Sequence, residues 1–81
     1  MTEVRMKELV EYVAKELVEH PDEVHVEETG GARSVVVELR VARSDMGRVI
    51  GKNGRVANAL RSLLRVCAAN SGKRAVLEIV E

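Results

Sequence analysis

Apolar positions recur with a helical period at the start of the chain. Met6, Leu9, Val10, Val13 and Leu17 stand at i, i+3, i+4, i+7 and i+11, while Glu3, Glu8, Glu11, Glu16 and Glu19 fall on other faces. That spacing predicts an amphipathic helix over residues 3–19 with Thr2 as its N-cap. His20-Pro21 should stop it, because the residue before a proline is pushed out of the α region. The period then changes to two. Val24 and Val26 alternate with His25 and Glu27, and after Thr29-Gly30-Gly31-Ala32 the residues Val35, Val37, Leu39 and Val41 alternate with Val36, Glu38 and Arg40. Two strands joined by a Gly-Gly turn predict a hairpin.

The helical period returns after Ser44-Asp45, read as an N-cap followed by an acidic first-turn residue, and a short helix should run to Val49 or Ile50. Gly51-Lys52-Asn53-Gly54 interrupts it and a further helix starts at once. There Val56, Leu60, Leu63, Leu64 and Cys67 fall on one side as the expected core, and Arg55, Asn58, Arg61, Ser62 and Arg65 on the other. Asn70-Ser71-Gly72 closes that helix. A last strand alternates Ala75, Leu77 and Ile79 with Val76, Glu78 and Val80. The order is α-β-β-α-α-β, an α+β fold in which a three-stranded sheet carries the helices on one face. There is no internal repeat and no linker, so residues 1–81 read as one domain.

Composition narrows the function more than the fold. With 81 residues the chain buries roughly 60 to 65% of its unfolded surface, too little for the deep, dry site most enzymes need. A single Cys excludes an internal disulfide, and His20 and His25 stand apart, so no metal or other cofactor is expected. No signal-peptide or membrane-length apolar run is seen, which predicts a soluble, cytoplasmic protein without a membrane partner. The chain has no Phe, no Trp and one Tyr, so bases cannot be read by stacking on an aromatic sheet face.

Net charge is zero, but residues 1–41 carry −5 and residues 42–81 carry +5. Most of the excess is Arg43, Arg48, Lys52, Arg55, Arg61 and Arg65, opposed only by Asp45. A charge run of this kind is ordinarily a solvated helix face; here it surrounds the one local pattern with chemical potential, Gly51-Lys52-Asn53-Gly54. The spacing alone is weak, since with Gly near 7% a Gly-x-x-Gly arises by chance in roughly a third of chains this long, and it also suits a plain helix–helix turn. Its context adds meaning. Glycines at both ends admit positive φ and let a sugar-phosphate backbone lie against the chain, while the following helix start offers unpaired N–H groups beside Lys52 and Arg55. Val49 and Ile50, facing Val37 or Leu39, would form an aliphatic slot for unstacked bases, with Asn58, Arg40 and Arg48 as candidates to read their edges. Two other phosphate motifs fail. Gly47 to Gly51 is one residue short of a Walker loop and Lys52 is followed by Asn53, and the Gly-x-Gly-x-x-Gly fingerprint has Val49 where a glycine is required.

The stretch Gly47-Arg48-Val49-Ile50-Gly51-Lys52-Asn53-Gly54-Arg55 resembles the Ile-Gly-x-x-Gly signature of KH domains. The element order is that of the bacterial type II arrangement. Residues 17–24, 45–52 and 59–64 resemble the small bacterial single-KH proteins of the KhpA family, so the likeness covers essentially the whole chain. The resemblance implies a non-catalytic protein that binds single-stranded RNA, with single-stranded DNA left open, and acts in post-transcriptional regulation, RNA-chaperone function and cell shape. It further implies a homodimer and a heterodimer with the larger Jag-type KH protein, KhpB. Carried over by position, Gly51, Lys52, Asn53 and Gly54 would be the backbone clamp and Ile50 the aliphatic of the signature. Gly is common where Asn53 stands, and Asn tolerates positive φ.

Two functions from different classes remain: the RNA-binding module, and an adaptor that keeps the fold but works through a protein partner held by the acidic first helix or by outward Val36, Val76 and Val80. Catalysis has no candidate. His25 should point away from the Val24/Val26 face, and Cys67 should be a small core residue with a poorly accessible thiol.

Overall fold

The structure is a computed structural model that describes residues 5–81. Helix α1 runs Met6–Leu17, strands β1 and β2 run His25–Gly30 and Ser34–Arg40, helices α2 and α3 run Met46–Ile50 and Arg55–Ala69, and strand β3 runs Arg74–Val80. Short 3-10 turns at Pro21–Glu23, Arg43–Asp45 and Lys52–Gly54 stand before β1, α2 and α3. The predicted α-β-β-α-α-β order is present. Strand β2 is central, pairing antiparallel with β1 (Val26 opposite Leu39) and parallel with β3 (Val37 opposite Leu77). Parallel pairing requires a crossover, which α2 and α3 supply.

The alternation read from β2 is what places the core. Val35, Val37 and Leu39 are buried on one face, with Val26 from β1 and Leu77 from β3 beside them. Against this face pack Val10 and Ala14 of α1, Val49 of α2, and Leu60 and Leu64 of α3. Burial of each large aliphatic contributes about 1.5–3 kcal/mol, so these three strands and three helices hold one another. The opposite face of the sheet has no helix and carries Glu27, Glu38 and Glu78 in register across the three strands.

Three details differ from the sequence reading. The first helix starts at Met6, with Arg5 already extended, and ends at Leu17, not Glu19; Thr2 lies outside the described residues. The early end has a tertiary cause. The fully buried Asp45 carboxylate accepts the backbone N–H of Glu19 at 3.0 Å and of His20 at 3.1 Å, which holds the chain out of the helix before Pro21 acts. Asp45 is therefore not a local first-turn residue of the short helix, and no side chain caps either its 3-10 turn or α2.

The third difference is in α3, whose buried stripe is Ala57, Leu60, Leu64 and Ala68. Leu63 is 47% exposed and Cys67 only half-buried, against the expectation that both were core. Alanines stand at both ends of the stripe and leucines in its middle, and the helix packs on β3. With the stripe on those residues, Ala59, Leu63 and Val66 are left as a second, outward apolar line.

Candidate nucleic-acid interface

The loop between α2 and α3 owes its shape to three exceptions in backbone conformation. Gly51 has φ 78°, Asn53 φ 58° and Gly54 φ 76°. A Cβ added to Gly51 would sit 2.6 Å from Val56 Cγ2 and 2.9 Å from the Val56 backbone nitrogen, so glycine is required there on two counts. Asn53 occupies the left-handed region that its side chain tolerates. The Gly54 N–H donates to the Gly51 carbonyl at 3.1 Å and the Arg55 N–H to that of Lys52, closing a tight turn from which the Lys52 and Asn53 side chains project into solvent.

The turn leads straight into the N-terminus of the fifteen-residue α3, where no side chain caps the first turn. The Arg55 N–H is taken by the Lys52 carbonyl, and the positive end of the helix dipole faces the same space as Lys52 and Arg55. Both side chains are exposed, and neither forms an ion pair among the described residues. Asn58, one turn along, joins them. Its Nδ2 lies 3.6 Å from where a Gly54 Cβ would stand, and its Oδ1 accepts from Arg61 Nη1 at 3.3 Å. With its oxygen so engaged, the amide presents its N–H donors toward the loop. An anionic backbone is the ligand that such a surface complements.

The remaining candidates separate. Ile50 is 36% exposed beside the loop and Gly47 is open to solvent on α2, so both border the site. Val49 is fully buried, as are Val37 and Leu39. The expected slot between them is closed: these side chains fill the core instead of lining a gap, because α2 packs its Val49 directly onto the sheet. Arg48 is engaged elsewhere, its Nη2 3.0 Å from Glu19 Oε1 and its Nε 3.8 Å from Asp45 Oδ1. Arg40 lies on the helix-free face of the sheet, where it donates to the Glu81 carbonyl at 2.8 Å and pairs with Glu38 at 3.5 Å. It does not belong to the loop site.

Sequence reading missed Asp45 as the buried anchor of this region. The sequence marked it only as an acidic first-turn residue, because its two amide partners lie 25 and 26 residues away. It also passed over two hollows. The larger, about 1350 Å³, lies between α1 and the end of α3 and includes Glu11, Val35, Val66 and Cys67. The smaller is lined by Arg65, Lys73, Arg74 and Ala75. Neither touches Gly51–Gly54. Among the described residues no group of His, Cys, Asp and Glu is arranged to hold a metal, and no helix is long and apolar enough to cross a membrane.

Comparison with known proteins identifies the family. Residues 7–79 match the family model described as KhpA/KhpB, KH domain. The chain is 51% identical over 75 residues to a protein named RNA-binding protein KhpA from Clostridium acetobutylicum, covering 93% of this chain and 100% of that one. A relative of the same name from Aquifex aeolicus is 51% identical over 76 residues, covering 94% and 96%, and one from Borreliella burgdorferi is 46% identical over 74 residues, covering 91% and 90%. No solved structure matches.

Proposed function

Because this chain belongs to the KhpA/KhpB family of KH domains, we propose that it is a binding protein, not an enzyme, and that it holds single-stranded RNA at the Gly51–Gly54 loop. One observation carries the reading: the loop's three positive-φ residues bring Lys52 and Arg55, exposed and without an ion pair among the described residues, to the start of α3, which no side chain caps. Phosphate oxygens would take the α3 N–H groups and the two cations, and Asn58 would donate to the next phosphate or a base edge. Ile50 supplies the apolar contact for one unstacked base. Binding should be modest and salt-sensitive, because few cations reach phosphate and each neutralised phosphate of a single strand adds about 0.7 to the salt slope.

The relatives' shared name supports RNA as the ligand, and we extend the reading to a post-transcriptional regulator acting in the cytoplasm. Weak single grooves favour pairing, and the outward line Ala59, Leu63 and Val66 on α3 is the apolar surface that a homodimer, or a heterodimer with the KhpB member, would bury. The test of the RNA reading is titration of labelled single-stranded RNA against wild type and Lys52→Asp/Asn53→Asp at two salt concentrations, with circular dichroism to verify folding. Salt-sensitive binding that the double substitution abolishes supports the loop as the site. Equal binding by both proteins, or none by either, would leave the loop a simple turn.

A further inference from the structure

The helices pack on one face of the sheet, and among the described residues no element covers the other. Strand register sets the side chains of that open face in rows. Thr29, Val36 and Val76 stand side by side across β1, β2 and β3, and the next row, two residues along each strand, is Glu27, Glu38 and Glu78. Like charges directly opposite one another cost stability, and this row sets them so on both sides of β2. Arg40 relieves Glu38 at 3.5 Å, whereas Glu27 and Glu78 are exposed and form no ion pair among the described residues. Arg74, the other arginine of this face, stands beyond the valine row, four residues from Glu78. Beside the acids, Val76 is 42% exposed and Val36 half-buried, so an aliphatic row borders the acidic one.

Charge and area together select what this face can hold. An RNA strand would bring phosphates against carboxylates, and a second copy placed face to face would set glutamates against glutamates. No group of His, Cys, Asp and Glu among the described residues is arranged for a metal ion. Three strands about 4.8 Å apart, rising about 3.3 Å per residue, cover only about 300 Å², well under the roughly 800 Å² that each partner buries in a stable globular interface. The size is that of a single polypeptide segment. In an extended segment, side chains two residues apart share one side and lie about 6.6 Å from each other, which is also the spacing of successive rows on the sheet. A segment lying along the strands therefore sets an apolar residue over Val36 and Val76 when its next same-side residue, a cation, is over the glutamates.

We propose that the open sheet face docks a basic peptide segment of a partner protein, with apolar and cationic residues alternating along one side. Val36 and Val76 take the apolar residues, and Glu27 and Glu78 take the cations. The proposal does not rest on the RNA reading. The Gly51–Gly54 loop joins two helices that pack on the opposite face, so a strand of RNA and a basic segment have separate places on one chain, and the adaptor and the RNA-binding module are its two sides.

The experiment titrates a peptide of three Val-Ser-Lys-Ser repeats into the isotope-labelled full chain and follows the backbone amide resonances. Wild type is compared with Glu27→Gln/Glu78→Gln, with Val76→Ser, and with Glu8→Gln/Glu16→Gln as a charge-matched control on α1. Wild type should show saturable shifts on β1, β2 and β3, and a Val-Ser-Glu-Ser peptide should produce none. The Glu27→Gln/Glu78→Gln variant should bind about fivefold more weakly and the α1 control within about twofold of wild type, since two exposed ion pairs are removed in one and none in the other. Val76→Ser should also weaken binding. Because the glutamine substitutions relieve cross-strand repulsion, that variant should melt at or above the wild-type temperature. A lower melting temperature would make the row a support of the fold and overturn its docking role. Shifts centred on α1, equal losses in the sheet variant and the control, unchanged binding by Val76→Ser, or no saturable binding each overturn the proposal. So do shifts on the sheet face with single-stranded RNA in place of the peptide, which would assign the face to nucleic acid. None of these outcomes bears on the loop, which the Lys52→Asp/Asn53→Asp titration tests separately.

Discussion

The cations that precede the loop and those that follow it are of one kind in sequence and of two kinds in the folded protein. Arg40, Arg43 and Arg48 each face an oxygen: Glu81 and Glu38 for Arg40, Glu81 for Arg43, Glu19 and Asp45 for Arg48. Lys52, Arg55 and Arg65 have no such partner among the described residues, and Arg61 only an amide oxygen. The basic half of the chain is thus split at Gly51. Upstream charges fasten the end of α1 and the carboxyl end of the chain to the body of the fold, and downstream charges remain available to a ligand. Charge summed along a segment overstates what a polyanion meets, because partners from remote segments neutralise part of it.

Removing the upstream anchor should have the largest effect. Asp45→Ala leaves two buried amides without their acceptor and Arg48 with Glu19 alone, and we expect a loss of about 2–4 kcal/mol in denaturant unfolding, with Asp45→Asn, which retains one acceptor oxygen, in between. A stability loss below about 0.5 kcal/mol for Asp45→Ala would mean that water serves these amides equally well.

Next is the hinge between the two regions. Gly51→Ala should cost about 2–3 kcal/mol, from the left-handed backbone and the Val56 contact, and lower the melting temperature by roughly 10–20 °C. Gly31→Ala, where a Cβ meets nothing within 4 Å, should lie within about 0.5 kcal/mol of wild type in the same scan.

Downstream substitutions should do the reverse and spare stability while changing binding. Lys52→Asp/Asn53→Asp should reduce RNA affinity more than about tenfold by reversing the local field, with a melting temperature within a few degrees of wild type. The smallest and most discriminating comparison sets Arg55→Gln against Arg48→Gln. The first should weaken RNA binding about threefold or more. The second should change it less than about twofold, because an exposed pair worth about 0.2–1 kcal/mol already occupies Arg48. Equal losses would show that Arg48 leaves Glu19 when RNA arrives and would dissolve the division at Gly51.

The elements were legible because their causes are local. Alternation over Val35–Val41 and the 3.6-residue spacing over Met6–Leu17 state which side is apolar, and Gly51-Lys52-Asn53-Gly54 states where two helices must part. The α3 core was less legible: Leu63 and Cys67 fit the period as well as Ala57 and Ala68 do, and only the packing of α3 on the sheet decides which side is buried. The candidate site followed the same rule. Lys52, Asn53, Arg55 and Asn58 are within eight residues of one another and were found together, whereas Arg40 was grouped with them by charge and lies on the other face of the sheet.

By itself, then, the sequence determined the order of elements, the face of each strand, the glycine turn with its flanking charges, and, through the signature around it, the family. Those are properties of neighbours, and periodicity and backbone sterics act over a few residues. Tertiary structure alone decided that Asp45 ends α1, that Val49 seals the core instead of lining a slot, that among the described residues Arg48 is paired and Lys52 is not, and that Arg65 lines one cleft with Lys73 and Arg74. Each of these depends on which surfaces the crossover from β2 to β3 brings into contact, and burial and Coulomb energies are set by that distance in space and not by separation along the chain.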